Sequence, residues 1–199
     1  MSERAVTAIY FDKAGAQNTE RALEIARRRA EELNVGTVLV ASTSGRTGVQ
    51  AVRFFADWMG SEKRRLVIVS HSTGFREPNT QELTAENRAA IEAAGGMILT
   101  AQHALGGVGR AVRRKTSTYQ IDEIIAYTLR TFGQGLKVCA EMTLMAADAG
   151  LAHVGEPTIA VAGTGKGADT AVVLRPANAQ DFFDLRFLEV LCMPAPLSL

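Results

Sequence analysis

Thr37-Val38-Leu39-Val40-Ala41-Ser42-Thr43-Ser44-Gly45 decides how this chain folds. Its first five residues are apolar or β-branched at nearly every position, without the polar alternation of a strand wetted on one face. They therefore read as a strand buried on both faces, and such strands belong to parallel sheets flanked by helices. The small polar residues that follow read as a loop, after which Val49, Val52, Ala56 and Met59 recur at helical spacing. Strand, polar loop and helix make one βα unit.

The same unit extends in both directions. Upstream, Ala5 to Phe11 is a β-branched and aromatic run ended by the turn Asp12-Lys13-Ala14-Gly15. Asn18 or Thr19 then caps a helix with Leu23, Ala26, Ala30 and Leu33 on one face. Downstream, Leu66 to Val69 is a further buried strand, followed by a polar loop to Glu82, a helix capped by Thr84, and a strand from Met97 to Thr100. Four strands alternating with helices predict an α/β fold with a mostly parallel sheet, right-handed crossovers and a ligand site at the carboxyl ends of the strands.

After Gln102 to Gly107 the pattern changes to a basic segment and then to a helical period from Ile121 to Ala149. Ile121, Ile124, Ile125, Thr128, Leu129 and Phe132 form one stripe, Gly133-Gln134-Gly135 interrupts it, and Val138, Met142, Met145 and Ala149 form another. Thr158 to Ala162, Thr170 to Leu174 and Phe187 to Leu191 supply three late strands, at least one of them expected to be antiparallel, with a helical turn near Ala179 to Phe183.

The 199 residues suit a single domain over 1–199, and a formal net charge of +1 gives no global attraction for nucleic acid or an anionic membrane. Cys139 and Cys192 read as reduced and buried, forming neither a disulfide framework nor a metal motif. Two histidines without a third placed ligand make a poor metal site, so none is expected. Glu3 and Arg4 precede the first strand where a leader would carry an apolar run, which predicts a cytoplasmic protein. The apolar stretch from Val190 to Leu199 suggests a homo-oligomeric contact.

The chemistry gathers in the loops. Gly163-Thr164-Gly165-Lys166-Gly167-Ala168-Asp169-Thr170 sits between two strands, and its glycines let backbone N–H groups converge on an anion such as phosphate. It matches neither the P-loop nor the dinucleotide pattern. Asn18 and Thr19, Ser42 to Thr47, Ser70 to Phe75 and Thr100 to Gly107 end the parallel strands at the same expected edge, so five loops would line one cleft. Ser42, Thr43, Ser44, Gly45 and Thr47 suit an anion at a helix N-terminus. His71 and His103 are candidate acid/base groups or phosphate ligands, and Ser42 or Ser72 beside a histidine lacks an assigned orienting acid. Glu141 and Asp148 lie in an apolar helix and need partners, for which Lys137, Arg110 and Lys166 are candidates. Arg110, Arg113, Arg114 and Lys115 concentrate positive charge beyond the His103 loop.

With these motifs assembled, Asn18-Thr19, Ala41 to Gly45, His71-Ser72-Thr73-Gly74-Phe75, His103 to Gly107, Leu129 to Val138, Glu141 with Met145 to Gly150, and Gly163 to Ala171, the chain resembles small prokaryotic proteins with the pyruvate kinase C-terminal domain-like fold. The resemblance spans nearly the whole chain. It implies a three-layer α/β/α domain without the catalytic barrel, and hence no phosphotransfer to ADP. It also implies a site for a small phosphorylated ligand, flavin mononucleotide (FMN) being associated with the family. Ser44 and positions 46–48 stand where the family varies, and His153 and residues 195–199 carry no motif.

The expected site therefore comprises Asn18, Thr19, Ser42, Thr43, Ser44, Gly45, Thr47, His71, Thr73, Gly74, Phe75, His103, Gly163, Thr164, Gly165, Lys166, Gly167, Asp169 and Thr170 as ligand-binding residues. His71, His103 and Glu141 are the catalytic candidates. The first functional expectation is binding of FMN or a similar nucleotide. An enzyme acting on a phosphorylated metabolite, with His71 and His103 as acid and base and Lys166 stabilising charge, is an alternative. A non-catalytic effector-sensing subunit is another.

Overall fold

The computed structural model describes residues 3–61 and 63–195. Among these residues, seven strands form one sheet: β1 (Ile9–Phe11), β2 (Thr37–Ala41), β3 (Arg65–Ser70), β4 (Met97–Thr100), β5 (Thr158–Ala162), β6 (Thr170–Arg175) and β7 (Arg186–Pro194). Six α-helices accompany them: α1 (Thr19–Glu32), α2 (Arg46–Phe54), α3 (Ala85–Ala93), α4 (Val108–Thr116), α5 (Ile121–Arg130) and α6 (Gln134–Asp148). Short 3₁₀ turns occupy Ala16–Asn18, Trp58–Gly60 and Ala179–Asp184.

The spatial strand order is β1-β7-β6-β5-β2-β3-β4. Only β6 runs against its neighbours, pairing antiparallel with both β5 and β7, as expected for the late strands. All other pairs are parallel, so β1 to β5 deliver their carboxyl ends to one edge.

The period of two along β2 explains its apolar run. Val38 and Val40 join a cluster with Leu23, Ala26, Ala51, Val52 and Ile91 from α1, α2 and α3. Leu39 joins a second cluster with Cys139, Met142, Met145 and Ala146 from α6. A strand buried on both faces is therefore apolar after the buried Thr37 at its start. The expected helix caps divide: the Thr84 hydroxyl accepts from the Asn87 amide at 3.2 Å, whereas Asn18 places no side-chain cap on α1 and donates to the Lys13 carbonyl at 2.7 Å.

One expected stripe is corrected. Ile121, Ile124 and Phe132 are exposed, and α5 instead buries Glu123 and Ala126. The helix is short and tied down by ionic contacts: Glu123 closes a capping box with Gln120 and pairs with Arg113 of α4 at 2.8 Å. Its apolar period is thus not matched by an apolar floor. Asp148 is structurally paired, accepting from the Asn178 side chain and the Ala179 amide at 3.0 Å each. Both cysteines are free and buried. No helix among the described residues is long and apolar enough to cross a membrane. Residues 196–199 of the stretch read as a subunit contact lie outside the described residues.

Candidate functional site

A cleft of about 800 Å³ opens where the strands end. All five expected loops reach it: Thr19 from the start of α1, Ser42, Thr43, Ser44 and Thr47 around the start of α2, His71 and Phe75 beyond β3, His103 beyond β4, and Gly163, Gly165, Lys166 and Gly167 beyond β5. Asn18, Gly45, Thr73, Gly74, Thr164, Asp169 and Thr170 do not line it.

Several of these residues build the walls instead. Asp169 is fully buried; its carboxylate accepts from the Gly15 amide at 2.9 Å, the Thr164 amide at 3.1 Å and the Thr170 hydroxyl at 2.9 Å. That arrangement ties the β5–β6 loop to the β1–α1 turn and leaves the carboxylate well supplied with donors. The Thr19 hydroxyl continues the tie, accepting from the Ala168 amide at 3.0 Å and donating to the Ala16 carbonyl at 2.7 Å. Gly167, at φ +71°, packs directly against Thr19, leaving no room for a Cβ. Gly45, at φ +92°, abuts Asn87 and Leu83 of the α3 region in the same way, so its role is a close approach of two elements.

Ser42 also has a local duty: its hydroxyl accepts from the Gly48 amide at 3.0 Å, satisfying a first-turn donor of α2. The remaining start of α2 faces the cleft through Arg46 and Thr47. The start of α6 does likewise through Gln134 and Lys137.

The two histidines share the cleft, their ring centroids 5.1 Å apart. Phe75 stacks on His103 at 4.8 Å with an interplanar angle of 14°, and the Arg110 guanidinium lies 5.1 Å from the Phe75 centroid. His71 Nδ1 lies 2.7 Å from Glu82 Oε2, and His71 Nε2 lies 3.3 Å from Thr43 Oγ1. Arg76 holds the other Glu82 oxygen at 3.0 Å.

Glu141 is buried, as its apolar surroundings required, and its partner is Lys137, one helical turn earlier, with Nζ 2.5 Å from Oε2. Its Oε1 accepts from the Leu105 amide at 3.1 Å, anchoring the His103 loop to α6. Burial pulls the Lys137 ammonium below its ordinary value, opposed by the Glu141 charge. Burial also lowers the His103 pKa from 6.5; Glu141, 3.8 Å from Nδ1, opposes that shift, while His71, Lys137 and Arg110 add to it. His103 Nε2 is buried without a hydrogen-bond partner among the described residues.

Sequence reasoning named Lys166, Glu141 and, as partners of the helix carboxylates, Arg110 and Lys137, but missed Arg46, Arg76, Arg130 and Glu82. Arg46, Arg76, Arg110, Arg130, Lys137 and Lys166 line the cleft against only two carboxylates, Glu82 and Glu141. Of these cations, Arg46, Arg110, Arg130 and Lys166 have no carboxylate within ion-pair distance among the described residues. Arg130 and Glu82 sit on segments that look like solvated surface in one dimension. The spacing of Glu82 eleven residues after His71 is a loop return with no periodic signal. Such an arrangement can neutralise an anion, present a half-buried imidazole to a ligand, and hold that imidazole in one tautomer. No protein-family model matches the chain.

Proposed function

We propose that the cleft binds a phosphorylated, nucleotide-sized ligand, with flavin mononucleotide the favoured candidate. The charge balance carries this reading: the lining holds six Lys and Arg residues against two carboxylates, on a chain whose formal net charge is only +1. Clustered cations in a concave, low-dielectric wall raise the local concentration of anions and strengthen the contact once made. Arg46 beside the first turn of α2 and Lys166 on the glycine loop are the phosphate-facing pair in this reading, and the aromatic group His71, Phe75 and His103 receives a flat ring. The volume of about 800 Å³ falls within the range of small-molecule sites. The resemblance to the pyruvate kinase C-terminal domain-like family supports the same ligand class.

The test is a titration of the purified protein with FMN, read by flavin fluorescence, beside riboflavin and with inorganic phosphate as competitor. The expected result is FMN binding that phosphate displaces, riboflavin binding at least about tenfold weaker, and a further loss of about tenfold or more in Lys166→Glu. Equal affinity for FMN and riboflavin removes the phosphate-anchoring reading. Absence of both removes the flavin.

A further inference from the structure

His71 and Glu82, from the two ends of the β3–α3 loop, and Thr43, from the β2–α2 loop, meet in one hydrogen-bonded line. A carboxylate has no proton to offer, so the 2.7 Å contact between Glu82 Oε2 and His71 Nδ1 places the ring proton on Nδ1 and leaves Nε2 as the acceptor. Thr43 Oγ1, 3.3 Å away, is then the donor to Nε2. Among the described residues this hydroxyl has no other hydrogen bond, whereas the hydroxyl of neighbouring Ser42 is occupied by the Gly48 amide.

The imidazole is held from several sides. Arg76 fixes Glu82, the Gln81 side chain donates to the His71 carbonyl at 3.0 Å, and the Phe75 ring lies 4.2 Å from the imidazole centroid. Thr43 follows β2 by two residues and precedes the first turn of α2. A hydroxyl on a strand-to-helix turn projects beyond the sheet edge, next to unpaired amides suited to a developing oxyanion. A nucleophile, a base within hydrogen-bond reach and a third group orienting the base are the parts of covalent hydrolytic catalysis.

We propose that Thr43, His71 and Glu82 act as nucleophile, general base and positioning residue in the hydrolysis of a carboxylic ester borne by a phosphate-bearing compound. The substrate class rests on the anion-binding reading of the cleft; the relay rests on its own geometry. Thr43 Oγ attacks the carbonyl carbon as its proton passes to His71 Nε2. The bond between that carbon and the alcohol oxygen breaks, and the departing alcohol takes the proton from Nε2. Water then attacks the Thr43 ester and gives a proton to Nε2. The acyl–Oγ bond breaks, the acid leaves, and the Thr43 hydroxyl regains its proton. Ester and water become acid and alcohol, with no redox change.

A fluorophosphonate reagent tests the relay without a known substrate, because it transfers its phosphonyl group to an activated hydroxyl with loss of fluoride. Incubation with the full chain and peptide mass mapping should give an adduct on Thr43. Its rate of formation should fall about 100-fold or more in His71→Ala. Glu82→Gln should slow it by at least about tenfold, with partial recovery in Glu82→Asp. Glutamine keeps the size and an acceptor oxygen of Glu82, so a merely structural tether would leave the rate unmoved. No adduct on Thr43, or one formed equally fast in Glu82→Gln and His71→Ala, overturns the relay. Labelling of Thr43 in a wild-type protein that binds neither FMN nor phosphate overturns the substrate class and the anion reading while upholding the relay.

Discussion

Two buried carboxylates, Glu189 away from the cleft and Glu141 in its wall, are partnered in different ways. Arg29 grips both Glu189 oxygens at 2.8 Å, and Arg4 adds a third contact. The Arg29 fork holds the Glu189 carboxyl below its ordinary value of 4.5. The pair is bidentate, and the remaining Arg29 Nη1 donates to Glu32 at 2.6 Å, so each charge in the group has a partner of opposite sign. Glu141 is also satisfied, by Lys137 and the Leu105 amide, yet the cations around it continue into Arg110, Arg130, Arg46 and Lys166 without matching carboxylates. The first arrangement closes on itself and fastens α1 to β7. The second leaves positive charge facing a cavity, which is the condition for recruiting an anion.

The comparison breaks most visibly at Arg29. Arg29→Met leaves a 7%-exposed Glu189 with only the largely exposed Arg4, and removing one partner of a buried pair is expected to destabilise by about 3 kcal/mol. The double variant Arg29→Met/Glu189→Leu should recover most of that loss, since neither charge is then stranded. Urea midpoints of the three proteins decide the matter. A single variant within about 0.5 kcal/mol of wild type would mean that the pair is screened by solvent and that the contrast with the cleft is false.

Removing a cleft cation should do the reverse. Arg46 and Lys166 are exposed and carry no ion pair among the described residues, so Arg46→Ala and Lys166→Ala should each change stability by less than about 0.5 kcal/mol. Phosphate competition against FMN should nevertheless weaken by about tenfold, a difference of about 1.4 kcal/mol in binding, and more steeply as salt is lowered. Loss of stability without loss of affinity would place these residues with Arg29 as structural groups.

The elements themselves were legible because each rests on a local signal. Burial on both faces writes a run of apolar or β-branched residues at 37–41, and Gly150 follows the last helical turn of α6. The shared edge of the five loops followed from parallel strands alone. What stayed hidden depends on partners distant in sequence. Asp169 looks like a ligand residue until Gly15, 154 positions away, is seen to donate to it. Glu82 acquires meaning only because the 71–82 segment folds back on itself. The exposed stripe of α5 misled because its apolar period matches that of a buried helix, while the contacts that seat the helix come through Glu123.

The smallest expected effect sharpens the comparison through pH. His103 has its pKa lowered from 6.5 chiefly by burial, with Glu141 raising it and His71, Lys137 and Arg110 lowering it further. A base harder to protonate when folded binds fewer protons than the unfolded chain, so its contribution is fully present above about pH 6.5 and is lost as pH falls below that value. The slope is at most about 1.4 kcal/mol per pH unit. Glu189, whose pKa is lowered by Arg29, contributes stability that is present above 4.5 and lost only as pH falls through its folded value, so its limb lies at lower pH. His103→Gln should therefore flatten the unfolding free energy between pH 6.5 and 5.5 and leave the more acidic limb in place, whereas Arg29→Met/Glu189→Leu should do the opposite. Urea titrations at pH 6.5, 5.5 and 4 separate the two, and a His103→Gln profile that falls as steeply as wild type between pH 6.5 and 5.5 would assign that limb to another group.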